Sequence, residues 1–185
     1  MLSRKVLISI LVIIILAILA LGYFIFFGIL KTPKIPNVFN QNKVATIQPG
    51  FVDSRNAYDL VVNRAKDWKP DAVLSNLESG SVDSGGRSNN WTFIFVSASV
   101  KNRGFEIKIE DEKITGAQEI PYVSQGTELP SNLISADEAI QIAKSIKGNE
   151  NIEVTGVEAI YSPEGKIWYW GVKTGKTVIT VKAVR

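Results

Sequence analysis

The feature that most limits what this chain can become is Val6 to Leu30, an apolar run of about 25 residues without a charge. As a helix rising about 1.5 Å per residue, it exceeds the roughly 30 Å hydrocarbon thickness of a bilayer, so it predicts a transmembrane segment. A cleaved secretory signal has a shorter apolar core and a small-residue cleavage site. Here Ala20-Leu21-Gly22 runs on into Tyr23-Phe24-Ile25-Phe26-Phe27. The expectation is an uncleaved single-pass anchor. Arg4, Lys5 and the N-terminal amine precede it, against Lys31 and Lys34 after it. That bias puts residues 1–5 in the cytoplasm and the C-terminal part outside, extracellular or periplasmic. With no cysteine, attachment through a lipidated thiol and a disulfide framework are both excluded, and the external part must fold on its apolar core.

The sequence pI of 9.0 carries no argument for nucleic acid. Beyond the span, nineteen basic residues face eighteen acidic ones, with no basic stripe. Residues 31–50, with Pro33, Pro36 and Pro49 among asparagines and glutamines, read as a stiffened linker, and Val44 to Ile47 as a possible edge strand.

Two helices are legible from their caps. Asp53 or Ser54 precedes a stripe of Ala57, Leu60, Val61, Arg64, Ala65 and Trp68, which Lys69-Pro70 closes. Ser135 with Glu138 forms a capping box, followed by Ala136, Ala139, Ile140, Ala143 and Ile146, with a stop at Gly148. After the second helix, Ile152–Tyr161, Lys166–Lys173 and Thr177–Val184 are rich in β-branched and aromatic residues and are separated by turns. After the first helix, Asp71–Glu78 is short and partly apolar, and Ser79–Asn90 reads as a long mobile loop. Trp91–Val100 then reads as a strand, Asn102-Arg103-Gly104 as a tight turn, and Phe105–Glu110 as an alternating strand. Ile114-Thr115-Gly116-Ala117 starts a further extended segment. Overlaid, the halves repeat in order, with Trp91-Thr92-Phe93 over Trp168-Tyr169-Trp170. The predicted fold class is α+β: an N-terminal transmembrane helix followed by two helix-plus-antiparallel-sheet repeats of α-β-β-β form. The first repeat spans residues 51–120, the second 135–185, and a connector at 121–134 joins them.

Ile134-Ser135-Ala136-Asp137-Glu138-Ala139-Ile140 and the strand and turn Phe105 to Gly116 resemble the opening and the close of the PepSY repeat. The resemblance implies a non-catalytic module of peptidase propeptides and membrane-anchored envelope proteins, one that inhibits peptidases or modulates their local activity.

The chemistry available is narrow. Without histidine or cysteine, the commonest general base, the thiol nucleophile and the usual zinc ligands are missing. Asp53, Asp59, Asp67 and Asp71 read as a cap and a solvated face rather than a catalytic cluster. Gly80 to Gly86 lacks the lysine and hydroxyl of a phosphate loop, and the acidic residues lack calcium-loop spacing. A pilin-like junction is absent. The expectation is no enzyme, no cofactor and no metal. The aromatic strands are apolar on both faces, so one face packs on helices and the other needs a cover. Trp91, Phe93, Trp168 and Trp170 are the candidate partner-binding residues. The expected role is a membrane-anchored envelope binding or regulatory module engaging a peptidase, a peptide or another envelope protein, with a homodimer also open. The alternative is a structural or assembly subunit of an envelope complex. Gly22 and Gly28, six apart, do not make a helix-packing motif.

Overall fold

Two capped helices lie on one face of a seven-stranded antiparallel sheet. The computed structural model describes residues 50–185. The expected cytoplasmic N-terminus, the membrane span at 6–30, the linker up to residue 49 and the edge strand at Val44 to Ile47 lie outside the described residues. Among the described residues no helix is long and apolar enough to cross a membrane.

Helix α1, Ser54–Trp68, starts where the Asp53 carboxylate accepts from the N–H groups of Arg55 and Asn56, both at 2.9 Å. It ends at Lys69, whose backbone is extended ahead of Pro70. Helix α2, Ala136–Ser145, is capped by Ser135, whose hydroxyl accepts from Glu138 N–H at 3.1 Å. The capping box is only half closed. The Glu138 carboxylate turns instead to the Arg185 guanidinium at 2.7 Å, tying the helix start to the chain's end. Ala57, Val61 and Ala65 on α1, and Ala136, Ala139, Ile140 and Ala143 on α2, face the sheet. The alanines among them let each helix lie close over the larger aromatic residues below.

The strands are β1 (Val73–Ser79), β2 (Asn90–Ser97), β3 (Val100–Glu110), β4 (Lys113–Pro121), β5 (Val154–Ser162), β6 (Ile167–Thr174) and β7 (Val178–Lys182), in spatial order β4-β3-β2-β1-β5-β6-β7. This corrects the expected fold class. The described residues form one continuous sheet, not two α-β-β-β repeats behind a membrane helix, and four strands rather than three follow α1. The cause is β1. The segment that looked weakest in the sequence sits between β2 and β5, with Leu77 opposite both Phe93 and Ala159, and welds the sheet across its middle.

Two local expectations are also corrected. The turn between β2 and β3 lies at Ala98-Ser99, because the Asp71 carboxylate accepts from Ser97 Oγ at 2.7 Å and from Ser99 N–H at 3.3 Å and so organises it. Asn102 to Gly104 belong to β3, with Asn102 at φ +58° and Gly104 beneath Tyr122 and Ile94. The loop between β1 and β2 is pinned rather than mobile. Ser79 Oγ donates to Ser88 Oγ at 2.7 Å, and Arg87 grips Asp83 through Nε at 2.9 Å and Nη2 at 2.6 Å. Gly86, at φ +68°, presses on the start of α2, where a Cβ would lie 2.4 Å from Asp137 N.

The connector at 121–134 helps build the sheet. Thr127 N–H donates to Leu74 C=O at 2.9 Å, filling the place beside β1 that β5 does not reach. Pro130 C=O then accepts from Arg55 Nη2 at 2.7 Å. Gly126 is required here, since a Cβ would sit 2.4 Å from Leu74 O.

Candidate binding surface

Strand alternation sorts the side chains of each strand onto two faces. Leu74, Leu77, Trp91, Phe93, Phe95, Ile107, Ala159, Trp168 and Trp170 fall on the helix side and are at most 2% exposed. The four candidate residues are therefore all in the core, in two groups. Trp91 and Phe93 lie on β2 beneath α1: Trp91 Nε1 donates to Val52 C=O at 3.1 Å, and the Phe93 ring meets Tyr58 at 6.4 Å. Trp168 and Trp170 lie on β6, against which α2 packs. Trp170 Nε1 donates to Ile134 C=O at 3.0 Å. Trp168 sits at 5.7 Å from the Tyr161 ring, and its buried N–H has no partner among the described residues. A partner cannot reach these rings without unseating a helix. They shape the surface only by fixing which parity of each strand faces outward.

The surface left open is the other face. Its middle row runs from Glu106 through Ile94, Asn76 and Ile160 to Tyr169 and Lys182 across β3, β2, β1, β5, β6 and β7. Ile160 is 41% and Tyr169 37% exposed, adjacent on paired strands and among the large hydrophobic residues left in solvent. The next row carries Lys108, Thr92, Glu78, Glu158, Gly171 and Thr180. Lys173 Nζ lies 3.0 Å from Glu78 Oε2 and 2.9 Å from Glu158 Oε2, stitching β1, β5 and β6 together. Partial burial pulls the ammonium's pKa down. The hydrogen bonds to Glu158 and Glu78, with their charge, outweigh it and leave Lys173 above the ordinary lysine value. Gly171 makes this possible: a Cβ there would meet Glu158 Cγ at 3.0 Å and Val178 Cγ1 at 2.9 Å.

At one end of this face a groove of about 510 Å³ opens between the β2–β3 turn and the stretch Tyr122–Gly126. Val73, Val96 and Val100 line it, with Lys101 and Tyr122 at its rim and Val123, 81% exposed, beside it. Ser75 Oγ anchors the rim, donating to Gln125 C=O at 2.7 Å and lying 3.3 Å from Tyr122 Oη. The volume falls in the range of ligand-sized clefts.

Shifted carboxylates hold turns and edges. Asp71 is lowered chiefly by the Ser97 hydroxyl. Glu119 is lowered chiefly by Trp68 Nε1, which donates to it at 2.9 Å, with Arg103 adding to the effect. Burial raises Asp83, but the Arg87 side chain and the backbone N–H groups outweigh it and leave it low. The groove and the open row had weak signals in the sequence: Tyr169 lies on a strand apolar on both faces, Ile160 shares its parity with Glu158, and the groove is made by a connector read as a plain link.

No family model matches the chain, and no curated protein matches it. Among solved structures it is similar to a protein from Clostridium difficile 630 described as a lipoprotein, at 16% identity and a TM-score of 0.49, over 69% of this chain and 86% of that one.

Proposed function

We propose that this chain is a membrane-anchored, non-catalytic binding module of the cell envelope, tethered through residues 6–30, that engages an envelope protein or peptide through the open face of its sheet. The observation that carries it is the exposed Ile160–Tyr169 pair on a face that no helix covers among the described residues. An exposed apolar pair that shares its sheet face with a ligand-sized groove supports an interaction surface. The PepSY-like stretches Ile134–Ile140 and Phe105–Gly116 favour a peptidase as the partner, with the module modulating it.

The test is affinity capture of the full-length chain from native membranes, with Tyr169→Ala and Ile160→Ser compared against Leu60→Ser, an exposed position on α1. A co-purifying envelope protein lost with the first two and kept with the third supports the reading. Recovery of the chain alone, or a partner indifferent to all three, overturns it. Deleting residues 1–30 should move the chain from the alkali-resistant membrane fraction to the soluble one. Retention in the membrane would refute the tether.

A further inference from the structure

The sheet has two edges, and they are finished differently. At the β7 edge, Ile134 N–H donates to Ala183 C=O at 2.9 Å and Leu133 bridges Val184, so the connector ties down the strand's end. β4, at the other edge, is exposed or half-exposed along its whole length.

The direction of each β4 backbone group follows from the ladder. The β3–β4 turn, Asp111-Glu112, has both residues at positive φ and closes on the Glu110–Lys113 pair. Tyr122 N–H donates inward to Asn102 C=O at 3.2 Å at the other end. Between Gly116 and Pro121 the register is regular, the bulge falling at Thr115. Alternation then turns Gly116, Gln118 and Ile120 toward β3, and turns the N–H and C=O groups of Ala117 and Glu119 outward. Residues that would guard such an edge are spent elsewhere. Glu119 folds back, its two oxygens taken by Trp68 Nε1 at 2.9 Å and Arg103 Nε at 2.8 Å.

We propose that β4 pairs antiparallel with β4 of a second copy of this chain, in the register that sets Gln118 opposite the partner's Gln118. Three registers, centred on Ala117, Gln118 or Glu119, bring the outward groups of Ala117 and Glu119 together about a two-fold axis. Centring on Ala117 runs Glu119 into the bulge at Thr115. Centring on Glu119 puts two carboxylates face to face and spends two positions on Pro121, which has no N–H. Centring on Gln118 pairs Ala117 with the partner's Glu119 twice, giving four main-chain hydrogen bonds and no like charges opposite. It also lays Ile120 over the partner's Gly116. At Gly116 a Cβ would meet only Lys108 Cβ, at 3.8 Å, so the space is open. Because this fit of bulky and bare positions recurs by symmetry, a second copy matches the edge better than an unrelated extended segment does.

The chain has no cysteine, so single thiols report the register directly. In an antiparallel pair that does not exchange hydrogen bonds, facing Cα atoms lie about 4.5 Å apart, within disulfide reach. The full-length chain carrying Gln118→Cys, oxidised with diamide in the expressing cells, should give a disulfide-linked dimer, and Thr180→Cys on the β7 edge should not. Adding Ala117→Pro to Gln118→Cys removes an outward N–H while sparing the inner ladder, and should abolish the dimer. Ala117→Glu should reduce it by facing the partner's Glu119 with like charge, whereas Ala117→Lys should preserve or increase it, and this difference in sign does not depend on how well the proline variant folds. No dimer with Gln118→Cys, equal cross-linking at Thr180→Cys, or identical behaviour of the glutamate and lysine variants would each overturn the proposal.

Discussion

Trp168 and Trp170 stand two residues apart on one strand, face the same core and are both fully buried, yet truncating them should have very different costs. Trp170 Nε1 donates to Ile134 C=O at 3.0 Å, whereas the Trp168 N–H is buried with no partner among the described residues. Trp170→Phe therefore strands a buried carbonyl, at about 1–3 kcal/mol, and opens a small void, at about 1 kcal/mol more. Trp168→Phe opens a similar void but removes a buried donor that gained nothing, so the two effects offset within about 1 kcal/mol. The prediction is a loss of about 2–4 kcal/mol for Trp170→Phe and a change within about 1 kcal/mol for Trp168→Phe. Guanidinium unfolding of the full chain in a non-ionic detergent, followed by far-ultraviolet circular dichroism, measures both, and an unchanged slope keeps the midpoints comparable. Each variant is fitted between its own folded and unfolded baselines, so the indole's share of the signal does not move the midpoint. If Trp168→Phe proves as costly as Trp170→Phe, the hydrogen bond to Ile134 does not set the difference and the reasoning fails.

Other perturbations test other parts of the fold. Gly86→Ala combines a positive φ with a backbone approach of 2.4 Å to Asp137 N, and should cost about 2–3 kcal/mol in thermal unfolding; an unchanged Tm would mean the loop is not seated on α2. Lys173 has its folded pKa above 10.5, so its contribution is complete below that value and disappears as pH rises through the folded pKa. Lys173→Met should flatten the alkaline loss of stability, and an alkaline limb identical to that of the parent would refute the role of the Glu78–Lys173–Glu158 cluster. Asp71 has its folded pKa below 3.8, so its contribution is present above that value and is lost as pH falls through the folded pKa. Removing its main partner by Ser97→Ala should move the Asp71 titration upward in carbon-detected NMR, and an unmoved titration would show that the turn does not rest on that hydrogen bond.

What was legible in the sequence, and what was not, divides along a physical line. Asp53 or Ser54, and Ser135, announced the helix starts because a cap is a local hydrogen bond between residues two or three apart, and Lys69-Pro70 announced a stop because the clash of a proline with the residue before it is local too. Phe105 to Glu110 announced a strand with one wet face because alternation is also local. β1 was legible only as a short extended segment of the first repeat, Asp71 to Glu78, and its place between β2 and β5 was not, because those pairings are not local. Its bulge at Ser75 breaks the alternation, and its buried Ser75 and Ser79 look like loop residues until their partners at Tyr122, Gln125 and Ser88 come into view from far along the chain.

The unread pairing of β1 with β5 bears on the rest. Read without the pairing of β1 to β5, the two halves look like separate units whose aromatic strands need an outside cover, and Trp91, Phe93, Trp168 and Trp170 then stand out as a binding face. With β1 in place, β2 and β5 become neighbours of one strand, their inward parities are set together by Leu77, and all four rings go under the helices. The parity that remains is the one carrying Ile94, Ile160 and Tyr169. A strand apolar on both sides tells the reader that two surfaces must be buried. Which of them the fold buries, and which it leaves open, is decided by the least conspicuous strand in the sheet.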